Sequence, residues 1–85
     1  MSHVLLRSKA FLRSAKQFVK GDRKRAEKIT ETLRLLAEDP WQPSLRTHKL
    51  KGKLDGNWAC AAGYDLRILF DFVEKTDHPP ILLLA

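Results

Sequence analysis

With 85 residues the chain has room for one domain spanning 1–85, and a domain this small buries only about 60–65% of its unfolded surface, which leaves a thin margin of stability. Sixteen Lys and Arg against ten Asp and Glu give a formal charge of +6, which favours anionic partners such as nucleic acid or an acidic protein segment. The lone Cys60 excludes an intramolecular disulfide, the longest purely apolar run (Ile81 to Ala85) is far short of the roughly 20 residues that cross a bilayer, and no basic-then-apolar leader opens the chain, so a reducing cytoplasm without membrane contact is expected.

In chain order, Val4 to Arg7 reads as a first short strand, and Ser8 stands where a helix N-cap belongs. Phe11, Leu12, Ala15, Phe18 and Val19 recur at helical spacing until Gly21 stops them. Asp22 can cap a second helix, with Ala26, Ile29, Leu33 and Leu36 as its buried stripe and Arg23, Lys24, Arg25, Lys28 and Arg34 largely outside it; Pro40 ends it. So short a join around Gly21 predicts an antiparallel helix pair.

From Trp41 the period changes. Pro43 and Ser44 read as loop, Leu45 to Lys51 as a strand, Gly52 to Asn57 as a turn and Trp58 to Tyr64 as the next strand. Leu66, Ile68, Phe70 and Phe72 then alternate with Asp65, Arg67, Leu69 and Asp71, the clearest two-residue period in the chain. Asp77 to Pro80 break it, and Ile81 to Leu84 form a last apolar strand, a sticky one if it lies at an edge. The expected fold class is α+β: an N-terminal strand and two-helix hairpin packed on one face of a small, mainly antiparallel sheet, whose other face is free to work.

Arg46, Lys49, Lys51 and Lys53 fall within eight residues that hold no acid, and the imidazole of His48 sits among them. Such a cluster suits a polyphosphate backbone, and histidine is the side chain type that exchanges protons near neutrality. The plainer explanation of the charge is solubility. Trp58, which opens an apolar strand directly after a turn, reads as core or turn packing before it reads as a base-stacking platform. Cys60 reads as a small buried apolar residue, and Asp71, Glu74 and Asp77 as solvated charge. His3 and His78 have no metal-ligand spacing to His48 or Cys60, and neither a Gly-rich phosphate loop nor a nucleophile elbow occurs, so neither a metal nor another cofactor is expected.

The run Leu33 to Pro40, the run Leu45 to Gly52 containing His48-Lys49-Leu50-Lys51-Gly52, and Tyr64-Asp65-Leu66-Arg67-Ile68-Leu69-Phe70 together resemble the RelE/ParE superfamily of type II toxins, nearest its YafQ-like branch, over nearly the whole chain. The resemblance implies a small bacterial ribonuclease that cuts mRNA on the ribosome. It also implies a cognate antitoxin that holds the toxin inactive in a hetero-oligomer; some relatives act on gyrase instead. It makes His48 the histidine of the His-x-Leu-x-Gly motif, Asp65 the aspartate that opens the following strand, and Arg67 the arginine that holds the scissile phosphate. Metal-free cleavage needs a base, a cationic clamp and an acid. His48 is the expected base or acid, and Arg67 with Lys51 the expected clamp. Asp65 would orient an imidazole, act as a weak base, or simply pair with Arg67 two residues along the strand.

Two departures limit that expectation. Ala59 to Ala62 stand where such toxins carry lysines or a second histidine, and the chain stops at Leu84-Ala85 without the tail that supplies another histidine and a base-stacking aromatic. Impaired cleavage with surviving RNA affinity is therefore expected, the alternatives being a non-catalytic nucleic-acid- or antitoxin-binding module and a gyrase-directed toxin. The isolated protein is expected to be poorly soluble unless an antitoxin or second copy covers an exposed last strand.

Overall fold

Ser8 and Asp22 begin the two helices as their side chains allow. In the computed structural model, which describes residues 3–51, 57–73 and 77–85, the Ser8 hydroxyl accepts from the Phe11 amide at 3.0 Å and starts α1, Lys9–Val19. The Asp22 carboxylate accepts from the Lys24 and Arg25 amides at 2.9 and 3.2 Å and starts α2, Arg23–Glu38. Between them Lys20 (φ 30°) and Gly21 (φ 79°) both take left-handed backbone, which turns the chain back in two residues.

Around the helices run β1 (Leu5–Arg7), β2 (His48–Lys49), β3 (Trp58–Ala62), β4 (Leu66–Phe72) and β5 (Ile81–Leu83), in the spatial order β1-β5-β4-β3-β2. All neighbours are antiparallel except β1 and β5, which pair in parallel from Leu5↔Ile81 to Arg7↔Leu83. The α+β class and the two-helix layer agree with the sequence expectation.

Two details differ from it. The strand expected from Leu45 to Lys51 shrinks to two residues, because Pro43–Leu45 close a 3-10 turn that buries Leu45 and Arg46 then turns left-handed at φ 50°. The last strand is not an edge: β5 lies between β1 and β4, with Ile81 and Leu83 at 0% exposure. The concern about a sticky terminal edge therefore does not apply, and the edges are the short β1 and β2. The turn expected from Gly52 to Asn57 lies, but for Asn57, outside the described residues, and so does Lys53.

Register decides which side chains meet the helices. Trp58↔Phe70, Cys60↔Ile68 and Ala62↔Leu66 share one face, joined by Phe72↔Ile81 and Phe70↔Leu83. This face packs on Phe11, Ile29 and Leu36 of the helices. Ala59, Ala61, Arg67, Leu69, Asp71 and Leu82 alternate onto the opposite, helix-free face.

Cys60 lies in the middle of the packed layer, and burial pushes its thiol up to about 11. The native protein should therefore react negligibly with a thiol-specific disulfide reagent at pH 7.5 and fully once unfolded in urea. Fast labelling of the native state would contradict the packing described.

Candidate functional site

His48 pairs directly with Ala59, which in turn pairs with Leu69, so the imidazole stands on the helix-free face. Arg67 pairs with Ala61 and stands on that face too. Two strand spacings, roughly 10 Å, and one two-residue step of about 7 Å separate their backbone positions. Both positions therefore lie on one face, where half-buried Ala61 and Leu69 come between them and Ala59 is fully buried.

His48 Nδ1 lies 2.9 Å from the carbonyl oxygen of Arg46. A carbonyl only accepts, so Nδ1 carries the hydrogen, which in the neutral ring leaves Nε2 as the accepting nitrogen, with no hydrogen bond to a described residue. The left-handed turn at Arg46 is what brings that carbonyl under the ring two residues on. Arg67 is exposed and makes no ion pair with a described residue, which leaves its guanidinium available to an incoming anion.

Asp65 does not join them. The alternation along β4 suggested that it lines up beside Arg67, but the strand begins only at Leu66, after a turn through Gly63 at φ 70°. There the Asp65 carboxylate reaches α2, with Oδ1 2.6 Å from Lys28 Nζ and Oδ2 4.0 Å from Arg25 Nε. A Cβ on Gly63 would sit 2.5 Å from Lys28 Nζ, so a glycine here leaves the lysine its path across the turn. The acid that shares the helix-free face with His48 and Arg67 is instead Asp71, whose Oδ1 accepts from the Phe72 amide at 2.8 Å. The signal for it was the same alternation that also carried Asp65, extended to the other end of the strand.

The basic cluster divides between the two sides of the edge strand. Lys49 pairs with Trp58 and so lies on the side opposite His48. The Leu50 amide donates to Asn57 at 2.9 Å, which extends the ladder and, by alternation, puts Lys51 with Lys49. Lys51 and Arg67 are thus not brought together as a single clamp. Arg46 is exposed at the corner, and none of Arg46, Lys49 and Lys51 is ion-paired to a described residue. Among the described residues no group of three metal-ligating side chains occurs, and no helix is long and apolar enough to cross a membrane.

The architecture superposes on three solved toxin structures along nearly its full length. They are a YoeB/ParE toxin from Agrobacterium tumefaciens (TM-score 0.74, 16% identity, covering 94% of this chain and 91% of that one), the RelBE2 toxin-antitoxin complex from Mycobacterium tuberculosis (0.74, 16%, 100% and 95%) and a YoeB dimer from Staphylococcus aureus (0.72, 20%, 100% and 94%). The chain has the RelE/ParE toxin fold. Its sequence matches no protein-family model and no curated protein. Within this RelE/ParE fold the register places only Ala59, Ala61 and Leu69 between His48 and Arg67, none of them able to exchange a proton.

The hydrogen bond from Lys28, helped by the charges of Lys28 and Arg25, holds the Asp65 carboxyl below its ordinary value. A lowered folded value means that this contribution to stability is present above the unfolded value of about 3.9 and is lost as pH falls through the folded one. Asp65→Asn should therefore flatten the acid side of the stability profile. Urea titrations from pH 2 to 7 check this, and an identical profile in the variant would contradict the pairing.

Proposed function

We propose that the protein is the toxin of a type II toxin-antitoxin pair and acts on RNA. The observation that carries this is that His48, its Nδ1 tied to the Arg46 carbonyl, shares the helix-free face of a toxin fold with Arg67, which pairs with no described residue. A complex of toxin with antitoxin among its structural neighbours supports a cognate antitoxin as partner, and mRNA held on the ribosome is the substrate.

In this account the RNA backbone lies across the face. Nε2 of His48 takes the proton from a ribose 2′-OH, whose oxygen attacks the adjacent phosphorus, and the bond to the leaving 5′-oxygen breaks to give a 2′,3′-cyclic phosphate. Arg67 neutralises the charge that builds on the phosphoryl oxygens. One imidazole cannot stand on both sides of an in-line phosphorus, so the leaving oxygen draws its proton from solvent. Cleavage is accordingly slow while binding, which rests on phosphate contacts, remains strong.

That only Ala59, Ala61 and Leu69 lie between His48 and Arg67 favours one further reading, a toxin-fold module that binds RNA without cutting it, and a single assay separates the two. With ribosomes programmed by a defined mRNA, His48→Ala should lower the cleavage rate about 10²–10⁴-fold and Arg67→Ala by a comparable factor. RNA affinity should fall with salt at about 0.7 log units per log unit for each phosphate engaged, and His48→Ala should leave that slope intact. Cleavage undiminished by His48→Ala would exclude the assigned role, and binding without cleavage by the unsubstituted protein would favour the non-catalytic module.

A further inference from the structure

Trp41 is 55% exposed and yet held firmly. Its amide donates to the Asp39 carboxylate at 2.9 Å, Pro40 before it is fully buried, and the Thr47 hydroxyl donates to the Pro40 carbonyl. The inner side of the indole stacks on Phe72 at 5.7 Å and 30° and meets Trp58 edge-on at 5.0 Å and 82°. Trp58 and Phe72 themselves meet edge-on at 6.1 Å. One side of the indole is thus backed by rings and the remainder faces water. An aromatic fixed in this way stacks a second ring without losing rotamer freedom.

The surroundings specify which kind of ring. Residues 40–51 contain no Asp or Glu but hold Arg46, Lys49 and Lys51. Lys49 lies directly across the strand pair from Trp58, a Cβ separation of about 5 Å. An ordinary solvated surface interleaves its charges, as α2 does where Arg34 is held by Glu31 and Glu38. Among the described residues no carboxylate pairs with Arg46, Lys49 or Lys51, and the nearby Asp39 carboxylate is engaged by the Trp41 amide. The loop after Trp41 adds no large exposed apolar side chain, since Gln42, Pro43, Ser44 and Arg46 follow and Leu45 is buried. Exposed aromatic surface next to unpaired cations is the chemistry that holds single-stranded nucleic acid, since every unpaired base offers a π-face and every link a phosphate.

We propose that Trp41, backed by Trp58 and Phe72 and flanked by Lys49, is a base-stacking platform for a nucleotide of single-stranded RNA, on the opposite side of β2 from His48. The proposal rests on the RNA-directed reading above and adds a second subsite to it. Because β2 is a two-residue edge strand with His48 on one side and Lys49 on the other, an RNA strand passing over that edge engages both subsites.

Tryptophan emission and affinity are measured with a short oligoadenylate RNA and with an abasic oligomer of the same length. The platform requires quenching by the RNA, and loss of quenching together with about a tenfold loss of affinity in Trp41→Ala. It also requires near-normal affinity in Trp41→Phe, and abasic binding that is about tenfold weaker than RNA binding in the unsubstituted protein and insensitive to Trp41→Ala. Unchanged RNA affinity in Trp41→Ala, or equal losses for RNA and abasic oligomer, overturns the platform while leaving the RNA-directed reading in place. Absence of any RNA binding by the unsubstituted protein overturns both. Poly-glutamate binding with the same dependence on Trp41 overturns the platform in favour of a protein partner.

Discussion

Burial of Leu66, Ile68 and Phe70 of β4 under the two helices is the constraint on which the rest depends. Side chains of a strand alternate with period two, so fixing one set inward fixes the other outward, and a slip of one residue would exchange them. With β4 pinned, β3 follows through Cys60↔Ile68, β2 follows through His48↔Ala59, and Arg67 and His48 arrive on the same uncovered face. The position of the candidate site is therefore a consequence of core packing. No local interaction between His48 and Arg67 is needed to hold it.

The same constraint divides the charged residues into roles. Asp65 lies just before the pinned segment, where the Gly63 turn frees it to bind Lys28 and Arg25, so it ties sheet to helix. Asp71 lies inside the pinned segment and is committed to the open face. On the edge strand, adjacent His48 and Lys49 are sent to opposite sides. A cluster that is continuous in sequence thus becomes two surfaces, one that bears the His48 imidazole on the face of Arg67 and a cationic one on the side of Trp58.

Much of this could be read from the residues alone where the signals are local. The caps at Ser8 and Asp22, the stop at Gly21 and the strict alternation from Leu66 to Phe72 each state their geometry within a few positions. What escaped depends on distant partners. The interior place of β5 comes from parallel pairing with β1, 76 residues away at Leu5↔Ile81, and the apolar run itself gives no sign of which neighbours it has. Alternation extended one residue too far put Asp65 beside Arg67, because the turn at Gly63 that removes it is a backbone feature with no period. A tryptophan in a Pro-rich loop, as Trp41 is, carries no local signal of its role, which depends on Trp58 and Phe72 packed against it.

On the RNA-directed reading proposed above, a face with a single imidazole suits slow cleavage, and that proposal hinges on His48 and Arg67 working on one phosphate. A double-mutant cycle tests this most directly: ribosome-dependent RNA cleavage by the unsubstituted protein, His48→Ala, Arg67→Ala and the double variant. Residues acting on one transition state are strongly non-additive, so the double variant should be scarcely slower than the slower single one. Losses that multiply would show that the two side chains act independently and would contradict the shared site.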